Sequence, residues 1–183
     1  DNLFLASIVA LNANTGDYVW HYQLNPGEQW DYKATMDMVL ADATIDDAPR
    51  KVLMQAPTNG FFYVLDRITG ELLSAEKYAK ATWAERIDLE TGRPVEMPGV
   101  RVKPGEKKLI YPSTYGAHNW QPMSYNPDLR LVYIPTIHQG AYHSKPPSYQ
   151  TRDNFFTIGI VTKLAKIDPL DGTGGVLAWD PEA

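Results

Sequence analysis

The segment ALNANTGDYVW, starting at Ala10, returns as VLDRITGELLS at Val64, with Leu11 matched by Leu65, Asn12 by Asp66, and Thr15 and Gly16 by Thr69 and Gly70. The offset is 54 residues. A degenerate copy, SYNPDLRLVYI, begins at Ser124, 60 residues further on, and AWDPEA starts another at Ala178, after 54 more. In each good copy an Asn or Asp can bond the backbone of a tight turn and a glycine can take positive φ. The chain then returns as a strand carrying Trp20 or Ser74. One such hairpin every ~50 residues, with room for two more strands between, is the spacing of a propeller blade. A similar turn, DLETG at Asp88, lies off this register, so the spacing rather than the turn alone carries the repeat.

Strand signals agree with it. Apolar and β-branched runs occur at SIVAL (7–11), YVWHYQ (18–23), KVLMQA (51–56), FFYVLD (61–66), LVYIPT (131–136) and VLAWD (176–180), each bounded by Gly, Pro, Asn or Asp. The stretch SAEKYAKATWAERIDL is the one mildly helix-friendly piece, with poor apolar spacing, and reads as a loop with one helical turn. The 14 Pro and 13 Gly are spread along the chain rather than gathered in a linker, which suits many short strands joined by turns. The fold expected is all-β, a partial β-propeller of roughly three to four blades. Residues 1–183 read as a single segment of one propeller domain, incomplete at both ends, because the chain opens already strand-like and closes where a turn begins.

A net charge of −5, with no basic cluster beyond VKPGEKK near Lys107 and Lys108, argues against nucleic acid as a partner. No apolar run approaches the ~20 residues that cross a bilayer as a helix. With no cysteine, these residues hold no disulfide, thiolate metal site or covalently attached haem.

In PGEQWDYKAT, residues 26–35, Asp31 sits between two large aromatics. Burial raises the cost of a carboxylate unless a cation or hydrogen-bond donors meet it. Asp31 is therefore either a structural acceptor or a working carboxylate. His138 and His143 lack a recognisable ligand spacing and read as loop histidines. His21 and His118, beside aromatics, read as packing or hydrogen-bonding residues, and Asp88, Glu90 and Arg93 as turn and surface residues.

ALNANTGDYVW, with Ala10, Thr15, Gly16 and Trp20, resembles the tryptophan-docking repeat of the pyrroloquinoline quinone (PQQ) dependent alcohol dehydrogenases, eight-bladed propellers of the periplasm. WHYQ, WDY, PRKVLMQAP, NGFFYVLDR, DLETGRPVE, YGAHNWQPMSYNP and LAWDP follow in that family's order over nearly the whole chain. The resemblance implies an oxidoreductase that takes a primary alcohol to an aldehyde with PQQ and Ca2+, passing electrons to a cytochrome c or quinone acceptor. Whether the parent chain carries a haem c domain is left open by the resemblance, no haem site lies in this segment, and the location implied is periplasmic. It further implies that Asp31 is the general base and a calcium ligand, and that Asn119 contacts the quinone. At the position before NGFFYVLDR the family carries Lys or Arg reaching the quinone oxygens; this chain has Thr58, which the resemblance places near the quinone as a cofactor-binding residue, with one hydroxyl bond to donate and no charge. Lanthanide-using relatives carry a second Asp two residues after the base. Here that residue is Lys33, which disfavours a lanthanide and leaves calcium.

Lys33 has two readings: its ammonium supplies the charge missing at Thr58, or its stem carries that charge to solvent. A second function class is a non-catalytic propeller serving as a periplasmic protein-binding scaffold, with Thr58 and Lys33 in its favour. A third, a carbohydrate-active propeller, needs a second carboxylate near Asp31, for which Asp37 is the close candidate. Alone, the 183 residues are expected to be inactive, with open blade edges and half a site.

Overall fold

The structure is a computed structural model that describes residues 1–45, 47–147 and 159–182. Among these residues there is no helix, and the strands fall into five sheets. Strands β1 (Ser7–Leu11) and β2 (Tyr18–Gln23) form a hairpin. An antiparallel four-stranded sheet follows, in the order β3 (Val39–Ile45), β4 (Ala48–Gln55), β5 (Phe61–Asp66), β6 (Leu72–Lys77). Strands β7 (Ala84–Asp88) and β8 (Arg93–Glu96) make a second hairpin. β9 (Lys107–Ile110), β12 (Ala141–Ser144) and β13 (Val161–Leu164) form a three-stranded sheet with β12 central, while β10 (Ser124–Asn126), β11 (Leu131–His138) and β14 (Thr173–Trp179) form another with β11 central.

The β3–β6 sheet is a blade, and β5 shows why it must be sandwiched. All six side chains of FFYVLD are buried. Alternation along a strand sends Phe61, Tyr63 and Leu65 into one core with Trp20, Tyr22, Trp30 and Trp83, and Phe62 and Val64 into another with Val52, Met54, Val132 and Ile134. The first core brings in β1 and β2, the second β11, with Leu177 and Trp179 of β14 packed against it. Three blade-type sheets therefore stack face to face in chain order, as a partial propeller requires.

The repeated turn has one geometry. Asn12 Oδ1 accepts from the N–H groups of Asn14 and Thr15, Asp66 Oδ1 from Ile68 and Thr69, and Asn126 Oδ1 from Asp128 and Leu129. Four residues after each, the backbone turns left-handed, at Gly16 (φ 77°), Gly70 (φ 79°) and Arg130 (φ 55°). Asp88 builds the same turn with Gly92 (φ 67°) to join β7 and β8. The degenerate copy at Ser124 differs from expectation in its place, not its shape. Its turn joins the first two strands of the β10–β11–β14 sheet, whereas the Asp66 turn joins the last two strands of its blade. The helix-friendly stretch is likewise strand, supplying the end of β6 and all of β7, because pairing with β5 and burial of Trp83 and Ala84 outweigh the Ala, Glu and Lys content.

Blade follows blade through a docked ring. The Trp20 indole donates to Arg67 O at 3.3 Å and lies so close over Gly70 that a Cβ there would come within 2.7 Å of the ring. Gly70→Ala therefore meets both a left-handed backbone, costing about 1–2 kcal/mol, and overpacking, costing about 1–3 kcal/mol more. Gly16 faces open space, so Gly16→Ala is expected to lose only the backbone part. Denaturant unfolding of the two variants of the intact protein checks the difference.

Candidate active site

Asp31 sits where a loop is held from three directions. Its own backbone is left-handed (φ 65°) rather than extended, a conformation that Asp tolerates better than most residues. Trp30 and Tyr32, on either side, are buried and stack on each other with centroids 5.8 Å apart. Trp83 packs against both, at 5.4 and 5.8 Å, and donates its indole N–H to Asn59 O at 2.8 Å. The Tyr32 hydroxyl donates to Pro112 O at 2.8 Å. The two aromatics are thus anchors sunk in the core, and the residue between them is pushed outward.

Arg101 holds the approach to this loop. Its guanidinium donates to Pro26 O at 3.2 Å and to Gly27 O, while the Glu96 carboxylate fixes it through Nε at 2.8 Å. Its centre also lies 5.2 Å from the Trp30 ring centroid. Glu28 braces the loop from inside, its carboxylate accepting from Trp30 N at 2.6 Å and Asp31 N at 3.0 Å. Burial pushes the Glu28 carboxyl up, the main-chain N–H groups of Tyr32, Trp30 and Asp31 oppose this, and the neighbouring Asp31 charge adds to the rise. Glu28 was not singled out in the sequence. The available signal was a carboxylate two and three residues ahead of the N–H groups that it caps.

Asp31, Glu28 and Lys33 line a cleft of about 550 Å³ together with Phe4, Ala6 and Ser7. Lys33 Nζ stands 3.0 Å from Asp31 Oδ2 and donates to Asp31 O at 2.8 Å. Both side chains are partly open to solvent, 39% for Asp31 and 40% for Lys33. The ammonium does lie beside the candidate base, although the chain reaches that geometry through a left-handed residue rather than an extended one.

Thr58 is fully buried, and its hydroxyl is committed to the main chain of Lys33. It accepts from Lys33 N at 2.6 Å and donates to Lys33 O at 3.2 Å. The Asn119 loop closes on it from the other side: Ala117 N donates to Thr58 O at 3.0 Å, and Gly116 packs on the threonine so tightly that a Cβ would meet it at 2.5 Å. Thr58 thereby ties the Asp31 loop to the Asn119 loop. Asn119 itself is partly exposed, donates to Tyr115 O at 2.7 Å, and is not among the residues lining the cleft. Its neighbour Trp120 is 79% exposed.

The other candidates fall to structural roles. The Asp37 carboxylate accepts from Met123 N. His138 Nε2 lies 3.3 Å from Asp168 Oδ2, but Lys80 already holds that oxygen at 2.6 Å, and its hydrogen bond keeps the Asp168 carboxyl down at about 2. His143 is buried without a hydrogen-bond partner among the described residues, and burial pushes its imidazole down to about 4, so it stays neutral. His118 is a core histidine bonded to Ala56 O and Gln121 O, both at 2.6 Å. Among the described residues no three His, Cys, Asp or Glu side chains gather as a metal site.

Residues 1–85 match the family described as Glucose/ethanol/alcohol dehydrogenase, beta-propeller domain, of the PQQ group. The quinohemoprotein alcohol dehydrogenase ADH IIB of Pseudomonas putida is 51% identical over 182 residues, 99% of this chain and 26% of the relative. The solved quinohemoprotein alcohol dehydrogenase ADHIIG of Pseudomonas putida HK5 superposes with a TM-score of 0.90 at 48% identity, over 100% of this chain and 28% of that one. A europium-containing methanol dehydrogenase superposes at 0.76 with 32% identity, over 98% and 29%. The chain thus spans about a quarter of the length of the curated relatives that it matches.

Proposed function

The chain belongs to the PQQ-dependent alcohol dehydrogenase β-propellers, and we propose that the protein containing it oxidises a primary alcohol to an aldehyde, with PQQ as hydride acceptor and calcium beside it. The observation that carries this reading is Asp31, a partly open carboxylate aimed into a cleft from a loop that Glu28, Arg101 and three buried aromatics hold in place.

The residues fit the cofactors as part of a larger set. Calcium takes six to eight oxygen ligands, and this segment offers the Asp31 carboxylate, which is paired with the Lys33 ammonium. The Asn119 amide and the Thr58 loop are the contacts proposed for the quinone, an amide suiting a cofactor that already carries carboxylates because it adds no charge. When bound, the quinone supplies the hydride acceptor and the calcium ion a polarising charge.

Asp31 accounts for the rest of the balance. The alcohol hydroxyl loses its proton to the Asp31 carboxylate as hydride leaves the same carbon, so that the C–O single bond becomes a carbonyl. Glu28 keeps the loop from collapsing inward, and the aromatic anchors hold the carboxylate at the mouth rather than in the core. Onward transfer of electrons to a cytochrome c or a quinone, and a periplasmic location, belong to the same proposal. The name quinohemoprotein borne by the relatives supports the haem route.

The test is dye-linked alcohol oxidation by the intact protein, reconstituted from cofactor-free material. Activity that requires both PQQ and calcium is expected. No activity over a broad panel of alcohols, with no quinone bound, would replace the enzyme by the protein-binding scaffold, a reading that the full commitment of the Thr58 hydroxyl favours.

A further inference from the structure

Among the described residues lining the Asp31 cleft, Lys33 is the one cation, and the cleft also holds the carboxylates of Asp31 and Glu28. Its two ends are treated differently. The main chain is pinned at both the N–H and the C=O of Lys33 by the Thr58 hydroxyl, at 2.6 and 3.2 Å, and by Thr58 N donating to Lys33 O at 3.4 Å. The side chain, by contrast, is 40% open to solvent, and its ammonium is held by two oxygens of one residue, Asp31 Oδ2 and Asp31 O. A pinned base with a half-exposed head, tied to one neighbouring residue, is the arrangement of a pivot.

The Lys33 ammonium is paired with Asp31 Oδ2, and a calcium ion drawn to the same carboxylate would carry like charge, so the two cations compete. A quinone bearing carboxylates, entering the same cleft, meets among the described lining residues the acidic Asp31 and Glu28 and the positive Lys33. We propose that Lys33 is a movable counter-ion of the site: it neutralises Asp31 while the metal is away, and when calcium takes Asp31 its ammonium turns to the anionic oxygens of the quinone. The proposal rests on the functional reading above and goes beyond it in assigning the charge to Lys33.

The two roles pull binding in opposite directions, and this separates them from a structural ion pair. Lys33→Met in the intact, cofactor-stripped protein is expected to bind PQQ about 10-fold more weakly, read by quenching of tryptophan fluorescence. The same variant is expected to bind calcium about 3-fold more tightly by calorimetry without quinone, as suits the loss of a half-exposed competitor. Lys33→Arg should restore the quinone affinity. Quinone affinity in Lys33→Met within twofold of the parent, or quinone and calcium affinities falling together, overturns the counter-ion. A parent protein that binds no PQQ overturns this inference and the dehydrogenase reading with it, whereas a binding parent with an unaffected Lys33→Met variant overturns the inference alone.

Discussion

Asp31→Asn in the intact enzyme is expected to lower turnover by about 10²–10⁴-fold, the usual contribution of a positioned general base, while leaving the unfolding transition in place. The substitution is nearly isosteric, and Asn accepts the left-handed φ of 65° as readily as Asp does. The Asp31 side chain is partly open to solvent, and its carboxylate pairs with the Lys33 ammonium. Dye-linked rates normalised to bound quinone check the chemistry, and a thermal melt checks the scaffold. Turnover within a few-fold of the parent, with quinone bound, would remove Asp31 from the reaction. Asp31→Ala would be a poorer probe, since it adds backbone strain to the loss of the base.

Trp83→Ala is expected to destabilise the protein by about 3–5 kcal/mol, as large aromatic truncations in packed cores do. Trp83 is fully buried and touches Trp30, Tyr32 and Phe61 at once, and its indole N–H satisfies Asn59 O. Its removal would leave a cavity under the aromatics that raise Asp31 and an acceptor without its donor. Urea unfolding of the intact protein measures the loss. Trp83→Phe should recover part of it by refilling the space without the hydrogen bond. A midpoint unchanged in Trp83→Ala would mean that the loop is carried by Arg101 and Glu28 instead.

The sequence made legible what depends on short-range pattern. SIVAL, YVWHYQ and FFYVLD are β1, β2 and β5 residue for residue, because alternation and flanking turn residues are local facts. β3 leaves no such mark, since VLADATI carries Asp42 among weakly apolar residues, and the end of β6 is masked by the exposed Glu76 and Lys77. Tertiary pairing decides such segments, and no window of sequence contains it. The site divides in the same way. Asp31 stood out through its aromatic neighbours, whereas Glu28 acts through main-chain N–H groups of an irregular loop, and Thr58 meets Lys33 across a gap of 25 residues. The off-register turn at Asp88 proved to be the same device used on a separate hairpin, which shows that the turn is a part and the spacing is the plan.

The docking of Trp20 onto the Gly70 turn has a counterpart that runs the other way. The second copy of the repeat has Ser74 where the first has Trp20, so no ring is sent forward from β6. The joint between the second and third sheets is instead made backward, by Trp179 of β14 lying 5.7 Å from Phe62 of β5. The middle blade therefore receives a ring on each face and lends none by this route. It is the keystone of the segment, gripped by both neighbours, so a fault in either grip is felt first at the central strand that carries FFYVLD and, through Trp30 and Trp83 packed on that strand, at the carboxylate beyond.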